Sequence, residues 1–385
     1  MLGKTNINTL SEGTIVTEIE DYRWIQMQSG VFSDFVKAIY KNNYLVAITA
    51  DGKIVYTTDG EVWTTVALEY VDCKLYDIDF DGSRFILAGS YMRTETLSGG
   101  STRKEQKGLI VVTSDFVSYE KKEITGKNDY NTCLAVYPKN GKYIVLNGCF
   151  SLSKAIYILI GDLSGDTWEK ETLMKEINME NPFSVAKNSS YILIAGMRDT
   201  NTSSSSYMPA VVAIQGNNPI ERLMTGGEAN VFECKDELYY MSSSSLYEYK
   251  FAKLLSSGEE MIVSSDINFM FTDGVYFNEC KIFINAHEML IVKKGENIAD
   301  KTLDDLIEIA PEFTINCITK AFGQLYVFGN QGVILKSSVE ANNEEAIAVQ
   351  TLSAKKALVE AKVYADERYA ALEARIEDLE KLKET

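Results

Sequence analysis

Residues 38–68, AIYKNNYLVAITADGKIVYTTDGEVWTTVAL, decide the fold. Two apolar runs flank a polar turn at Asn42 and Asn43. The pairs Asp51-Gly52 and Asp59-Gly60 mark two further turns between strand-like segments. The stretch therefore predicts four short antiparallel strands within about 40 residues, which is the size of one β-propeller blade.

The same pattern recurs along most of the chain. After the first copy at Ala38, six further copies begin at Asp77, Ala135, Ser184, Asn230, Asp273 and Cys317. Regular recurrence at blade-sized spacing is the sequence signature of a propeller. The sequence therefore predicts an all-β, seven-bladed β-propeller. The alternative is six blades with a separate N-terminal hairpin.

The seventh copy predicts only three strands before the sequence becomes polar. An unassigned strand candidate, residues 22–27, lies near the N-terminus, and its Trp24 resembles Trp63 at the start of a fourth strand. Residues 14–30 are therefore expected to complete the last blade, which would leave no open sheet edge. The predicted domains are a propeller over residues 1–340 and a C-terminal amphipathic α-helix over residues 341–385.

Composition excludes several classes of function. A formal net charge of -17 repels phosphate backbones, so nucleic-acid binding is not expected. No apolar run is long enough to span a bilayer, and no secretory signal is visible. The six cysteines form no CxxC pair, so reduced core thiols are expected. His287, the only histidine, is expected in a strand, and neither a catalytic residue, a metal site nor a cofactor is predicted.

Two segments resemble the Asp-box of sialidase-like propellers, a Ser/Thr-x-Asp-x-Gly-x-x-Trp motif. The first runs from Thr57 through Asp59 and Gly60 to Trp63. The second keeps Asp115 and Tyr119 but lacks the glycine, and Asp162 with Trp168 resembles a stretched third copy. The resemblance implies a structural role, in which the aspartate caps a tight turn and the aromatic residue packs between blades.

Long segments between second and third strands are the candidate binding surface. Residues 91–108 in blade 2 and 197–208 in blade 4 exceed the repeat template, and residues 149–154 form a smaller excursion. Loops of this kind share one face of a propeller and form a rim. The candidate ligands are a glycan, an anionic polymer or a protein. The rim residues are Tyr91, Arg93, Arg103, Lys104, Lys107, Arg198 and Tyr207.

Asp77 and Asp79 are spaced to face the same side of an inner strand. The sequence aligns Asp77 with small residues in other copies, namely Ala38, Ala135, Ser184 and Cys317. A carboxylate near the central channel can hold a cation or water, whereas the simpler interpretation is a polar lining of a wet channel.

The C-terminal segment has a different texture. Glycine and proline disappear after Ala341, and apolar residues recur with the spacing of a coiled-coil seam. An exposed seam predicts a homo-oligomer, with a trimer expected, or docking to a partner, whereas a helix folded back on the propeller is the alternative. The seam residues are Leu358, Ala365, Tyr369, Leu372, Ile376 and Leu379.

Residues 361–373, AKVYADERYAALE, resemble helical segments of phage tail-fibre and baseplate proteins. The resemblance implies a structural and attachment component of a phage tail or phage-tail-like particle. Such a protein is made in the bacterial cytoplasm without a signal peptide and contacts other tail or baseplate proteins and a cell-surface glycan. The alternatives are a cytoplasmic propeller that scaffolds protein assembly and a sialidase-like carbohydrate-active enzyme.

Overall fold

The computed structural model describes residues 15–19, 22–98, 100–124, 132–139, 142–148, 156–161, 169–170, 180–199, 207–215, 218–223, 229–243, 249–255, 260–267, 270–309 and 312–338. The predictions on residues 149–154, on Asp162 and Trp168, and on the C-terminal helix lie outside these residues. The chain separates into a large unit, residues 27–334, and a second unit formed by residues 1–26 and 335–385.

Each blade is built from short strands that follow one another along the chain. Strands β1 (Ile15–Ile19) and β2 (Tyr22–Met27) precede the repeats. Blade 1 contains β3 (Phe35–Lys41), β4 (Tyr44–Thr49), β5 (Lys53–Thr57) and β6 (Thr64–Ala67). Blade 2 contains β7 (Lys74–Phe80), β8 (Phe85–Thr96), β9 (Thr102–Thr113) and β10 (Glu120–Ile124). Blade 3 contains β11 (Thr132–Lys139), β12 (Lys142–Gly148), β13 (Ile156–Gly161) and β14 (Glu169–Lys170).

The remaining repeats keep this order. Blade 4 contains β15 (Glu180–Lys187), β16 (Ile192–Asp199), β17 (Tyr207–Gln215) and β18 (Asn218–Leu223). Blade 5 contains β19 (Ala229–Cys234), β20 (Glu237–Ser243), β21 (Tyr249–Leu254) and β22 (Glu260–Ile267). Blade 6 contains β23 (Asp273–Phe277), β24 (Cys280–Ile284), β25 (Glu288–Val292) and β26 (Leu306–Glu308). Blade 7 contains β27 (Ile315–Ala321), β28 (Gln324–Gly329) and β29 (Ile334–Ser338).

The strands form seven sheets, and the chain is a seven-bladed β-propeller. Six sheets have four strands each, and the seventh has the order β1-β2-β29-β28-β27. The seven predicted starts all fall in innermost strands, so the seven-bladed prediction is confirmed and the six-bladed alternative is wrong. The seventh sheet has two N-terminal strands, β1 and β2, where one was predicted.

The second strand of each blade is apolar on both faces because each face packs on a neighbouring blade. In β4, Val46 and Ile48 belong to the core cluster shared with blade 2. Leu45 and Ala47, which point the other way, belong to the cluster shared with blade 7. A two-sided core of this kind explains why these strands read as continuous apolar runs rather than as alternating ones.

Tight turns join the innermost strands to the second strands. Asn42 and Asn43 have φ values of 49° and 62°, and Lys235 and Asp236 have values of 57° and 61°. Two successive positive φ values are those of the type I′ turn, which matches the twist of the two strands that it joins. These turns all follow the carboxyl ends of the innermost strands, so they mark one end of the propeller.

The strand register defines one equivalent position in every innermost strand. Each such residue pairs with the second-strand residue eleven positions later, as in Asp77↔Ala88 and Cys317↔Phe328. In blade 1 that residue is Lys37, opposite Ile48, and the predicted equivalence of Ala38 is wrong. The same register shift precedes Lys37, Asp77, Ala135 and Cys317, which identifies Lys37 rather than Ala38 as the equivalent residue. The seven positions, called the ring positions below, are Lys37, Asp77, Ala135, Ser184, Asn230, Asp273 and Cys317.

Candidate functional site

The innermost strands surround a central cavity of about 840 Å³. This volume is within the range of sites that bind small ligands, roughly 300–1,000 Å³. Its lining combines tyrosine and phenylalanine rings with charged side chains. The charged residues that line it are Lys37, Lys41, Asp77, Asp79, Lys187, Glu233, Lys235, Asp273 and Lys320.

Asp77 is the centre of a network of ion pairs and hydrogen bonds between four blades. The residue is 4% exposed. One carboxylate oxygen accepts a hydrogen bond from Lys37 Nζ of blade 1. The other accepts from Lys187 Nζ of blade 4 at 2.9 Å and from the Val136 N–H of blade 3 at 2.9 Å. Lys187 also reaches Asp79 at 3.1 Å. Two lysines therefore balance two aspartates at the wall of the cavity.

Other ring positions link to the next blade through single hydrogen bonds, without an ion pair among the described residues. Ser184 Oγ accepts a hydrogen bond from the Val231 N–H at 3.0 Å. Asp273 accepts from the Ile318 N–H at 3.0 Å. In each case the donor is the backbone amide of the residue after the next blade's ring position, as Val136 is for Asp77. At three junctions the same type of link thus aligns the ring positions of neighbouring innermost strands along the length of the cavity.

Two more junctions use related bonds. Asn230 donates through Nδ2 to the carbonyl oxygens of Phe271 and Thr272 at 2.8 and 3.1 Å. The Ala38 N–H bonds to the Cys317 thiol, between blades 7 and 1. Asn316, one residue before the ring position, donates to the Phe35 carbonyl at 2.9 Å. The ring positions therefore connect successive blades around the cavity, and we call these bonds the inter-blade links.

The two ring aspartates have opposite electrostatic environments. Burial disfavours the Asp77 carboxylate, but the charges of Lys187 and Lys37 outweigh burial and lower its pKa below the ordinary value. For Lys37, burial is likewise outweighed by the attraction of Asp77 and Asp79, so its pKa is raised. Burial raises the pKa of Asp273 to about 7, and its backbone hydrogen bonds and the charge of Lys37 oppose this only in part.

Asp77 and Asp79 are paired with lysines, and this pairing argues against a bound cation at these two residues. The positive charges of Lys37 and Lys187 occupy the positions that a cation would take. Within the described ranges, no three His, Cys, Asp or Glu residues are grouped so that they could hold a metal ion. The network instead joins blades 1 to 4.

The predicted rim segment of blade 2 is a β-hairpin rather than a loop. Strands β8 and β9 extend to Thr96 and from Thr102, and they pair along the hairpin from Phe85↔Thr113 to Thr96↔Thr102. The prediction of a long loop over residues 91–108 is therefore wrong. Threonines, whose β-branched side chains favour strands, lie at both ends of the extension. In blade 4, Arg198 lies on β16 opposite Met208, and Tyr207 lies on β17 opposite Asp199.

Acidic neighbours balance much of the basic charge on this hairpin. Arg93 NH1 lies 3.2 Å from Glu123, and Lys107 lies 3.0 Å from Glu105. Tyr91 is buried and donates its hydroxyl proton to Glu123. Its ring packs against Tyr70, with the ring centroids 4.3 Å apart. Arg103 and Lys104 are exposed on β9, and Arg93 is exposed on β8 although it pairs with Glu123.

The two aspartate turns have the same hydrogen-bond pattern. Asp59 Oδ1 accepts from the N–H groups of Glu61 and Val62 at 2.8 and 2.9 Å, and Thr57 Oγ1 accepts from Gly60 at 2.9 Å. Asp115 and Thr113 repeat these bonds in blade 2.

The residue after the aspartate differs between the turns for steric reasons. At Gly60, φ is +79° and an added Cβ would lie 2.2 Å from Tyr326 Oη. At the equivalent Phe116, φ is +58° and the ring is buried against Tyr56. The aromatic residues that end the motifs also pack: Trp63 contacts the cluster shared by blades 7 and 1, and Tyr119 that of blades 1 and 2.

Sequence reasoning missed most of the cavity wall. Lys37, Lys187 and Asp273 were not predicted as site residues, although they carry its electrostatics. A search for charged residues near the end of each predicted innermost strand would have found Lys187 and Lys320. The predicted strand location of His287 is also wrong, because this residue lies in the turn between β24 and β25, with Nδ1 2.9 Å from the Phe313 carbonyl.

Comparisons with known proteins establish the fold. Virginiamycin B lyase from Staphylococcus aureus superposes with a TM-score of 0.55 at 9% identity, over 82% of this chain and 99% of that chain. A catalytically inactive variant of that lyase, solved with quinupristin, gives 0.56 at 10% identity, over 82% and 99%. No protein-family model and no curated protein sequence matches the chain.

Proposed function

We propose that this chain is a non-enzymatic structural and attachment component of a phage tail or phage-tail-like particle. In this proposal the propeller binds a receptor glycan or a particle partner, and the C-terminal segment mediates homo-oligomeric assembly. The observation that carries the binding role is the ring of inter-blade links. It uses the buried charged groups of the cavity wall to hold the blades together and leaves a rigid, preformed cavity.

The chemistry of the cavity supports a role without catalysis. No arginine lines it among the described residues, whereas sialidase-like enzymes hold the substrate carboxylate with an arginine cluster. Burial raises the pKa of Tyr137 to about 12, which disfavours a phenolate nucleophile. Burial also raises the pKa of Cys73 to about 11 and that of Cys234 to about 12, so both thiols stay protonated at neutral pH.

The particle assignment is supported by the resemblance of residues 361–373 to tail-fibre and baseplate helices. The buried cysteines Cys73, Cys234 and Cys317 form no disulfide, which is compatible with folding in a reducing cytoplasm. Among the described residues, no helix combines the length and apolar character that crossing a membrane requires.

The test is to purify tail particles from the organism that encodes this chain and to probe them with an antibody against the propeller. We expect the chain to co-purify with tail sheath or tube proteins and to be visible by immunogold labelling at one end of the particle. Particles that contain sheath and tube proteins but lack the chain would contradict the proposal. Co-purification with a cytoplasmic protein complex instead would support the assembly-scaffold alternative.

A further inference from the structure

Three lysines line one end of the central cavity. Lys41, Lys235 and Lys320 follow the ring positions of blades 1, 5 and 7 by four, five and three residues. The inter-blade links hold neighbouring ring positions at one level, so these lysines lie at the same end, next to the turns between first and second strands. All three line the cavity and are exposed. We call this group the lysine mouth.

The lysines of the mouth keep their positive charges available to a ligand. Lys37 and Lys187, deeper in the cavity, are paired with Asp77 and Asp79. By contrast, none of the carboxylates in the described part of the chain forms an ion pair with Lys41 or Lys320. Lys235 Nζ lies 3.8 Å from the centroid of the Tyr276 ring, a cation–π contact that keeps its charge.

Acidic groups also lie near the mouth. Glu233 lines the cavity, and burial raises its pKa against the opposing charges of Lys37 and Lys41. Asp79 is paired with Lys187. Three accessible lysines in one concave site are unusual for a chain with a net charge of -17. A cleft with low-dielectric walls concentrates the field of such charges, so it attracts anions to this point of an otherwise acidic surface.

Aromatic rings accompany these charges. Tyr40, Tyr137 and Tyr276 line the same cavity, each two or three residues beyond a ring position. The face of an aromatic ring carries partial negative charge, and it packs well against the partly positive C–H face of a sugar ring. The cavity volume of about 840 Å³ admits a short oligosaccharide rather than a protein segment with its own fold.

We propose that the lysine mouth binds a short anionic saccharide, with its carboxylates at Lys41, Lys235 and Lys320 and its ring faces on the cavity tyrosines. The inference rests on the binding role proposed above and adds its ligand class and its site. It places ligand capture in the cavity rather than on the β8–β9 hairpin.

The experiment is calorimetric titration of the full chain with trigalacturonate, and with neutral trigalactose as the probe of matched size. The variant Lys41→Gln/Lys320→Gln removes two charges of the mouth. The control variant Lys104→Gln/Lys294→Gln removes two exposed lysines on the hairpin and on blade 6, so both variants have the same net charge. Thermal melting checks that both variants fold as the parent does.

We expect trigalacturonate to bind the parent and the control variant alike, and the mouth variant to bind at least tenfold more weakly. Added salt should weaken binding, because exposed charges are screened. The proposal is overturned by equal binding of trigalactose, by no binding of trigalacturonate, by unchanged affinity of the mouth variant, or by loss of affinity in the control variant.

Incorporation into particles separates this inference from the proposed function. The mouth variant should enter tail particles as the parent does, since Lys41 and Lys320 take part in no inter-blade link. A chain that binds trigalacturonate but is absent from particles would refute the particle assignment alone. A mouth variant excluded from particles would assign the mouth to assembly and overturn the saccharide proposal.

Discussion

Asp77 in blade 2 and Asp273 in blade 6 occupy the same ring position but have different partners. Both accept the backbone N–H of the next blade's innermost strand, from Val136 and Ile318 respectively. Asp77 also contacts two lysines, whereas no ion pair is formed by Asp273 within the described residues. At neutral pH the Asp77 carboxylate therefore stays charged, whereas the pH is then close to the pKa of Asp273.

The difference shows that different side chains can form the same inter-blade link in different blades. The backbone geometry requires an acceptor at the ring position, and Asp77, Ser184 and Asp273 all provide one. Whether that acceptor carries a charge depends on neighbouring side chains that the repeat does not dictate. At the ring positions, ion pairs occur only among blades 1, 2 and 4 of the described residues, whereas the later ring junctions use hydrogen bonds; away from the ring, Lys281 of blade 6 also pairs with Glu237 of blade 5.

The largest effect is expected from Asp77→Ala. The substitution leaves Lys37 and Lys187 without their buried partner and the Val136 N–H without its acceptor. Breaking a buried ion pair by removing one partner costs about 3–5 kcal/mol. Chemical denaturation should show a loss of that size in the free energy of unfolding. Lys294→Ala, which breaks the exposed pair with Glu279, is the control and should cost under about 1 kcal/mol. A loss no larger than the control's would contradict the ion-pair network.

A pH-dependent effect of intermediate size is expected at Asp273. Its pKa is raised from 3.8 to about 7 on folding, so the folded state holds this proton more tightly than the unfolded state. This group's contribution to stability therefore falls as the pH rises between these two values and stays low above them. Relative to Asp273→Asn, the parent should lose up to about 3 kcal/mol between about pH 5 and about pH 8.

Denaturation of both proteins at several pH values checks this slope, and any constant offset of the variant does not affect it. For Asp77 the sign is opposite. Its pKa is lowered on folding, so its contribution is present above the ordinary aspartate pKa and is lost in acid. A pH-independent difference between the parent and Asp273→Asn would show that Asp273 is an ordinary ionised carboxylate.

The smallest effect is expected from Ser184→Ala, which removes a neutral inter-blade link. The Val231 N–H then loses its acceptor, and the expected cost is about 1 kcal/mol. The exposed Ser190 is the matched control, because its side chain makes no inter-blade link, and Ser190→Ala should leave the midpoint unchanged. A cost at Ser184 as large as that at Asp77 would remove the distinction between charged and neutral links.

Sequence alone could predict the blades but not the network that joins them. Apolar runs such as Leu45 to Ile48 and the turns at Asn42 and Asn43 are local signals, so the seven repeats are visible in the sequence. The partners of Asp77 come from blades 1, 3 and 4, far apart in the chain, and no local pattern encodes them. The equivalence of Lys37 and Asp77 is also hidden in the sequence, because two residues separate the first two strands of blade 1 and four separate those of blade 2.

The aspartate turns are intermediate between the blades and the network in how much of their structure the sequence predicts. The hydrogen bonds of Asp59 and Asp115 involve residues two and three positions away, so a short motif is enough to predict them. The rim hairpin reads as a loop in the sequence because its polar surface residues obscure the strand pattern. The lysine mouth could not be predicted at all, since Lys41, Lys235 and Lys320 meet only when the ring of blades closes.

The most direct test of the comparison between the two ring aspartates is a titration of both in one protein. Aspartate labelled with ¹³C at the carboxyl carbon would report the two groups by NMR, with Asp77→Asn and Asp273→Asn to assign the signals. We predict that Asp77 titrates below the ordinary aspartate pKa of 3.8 and Asp273 near pH 7. Indistinguishable titration of the two carboxyls, or titration of Asp77 above its ordinary pKa, would contradict the assignment of Asp77 as a link that is charged at neutral pH and Asp273 as a group poised to change its charge.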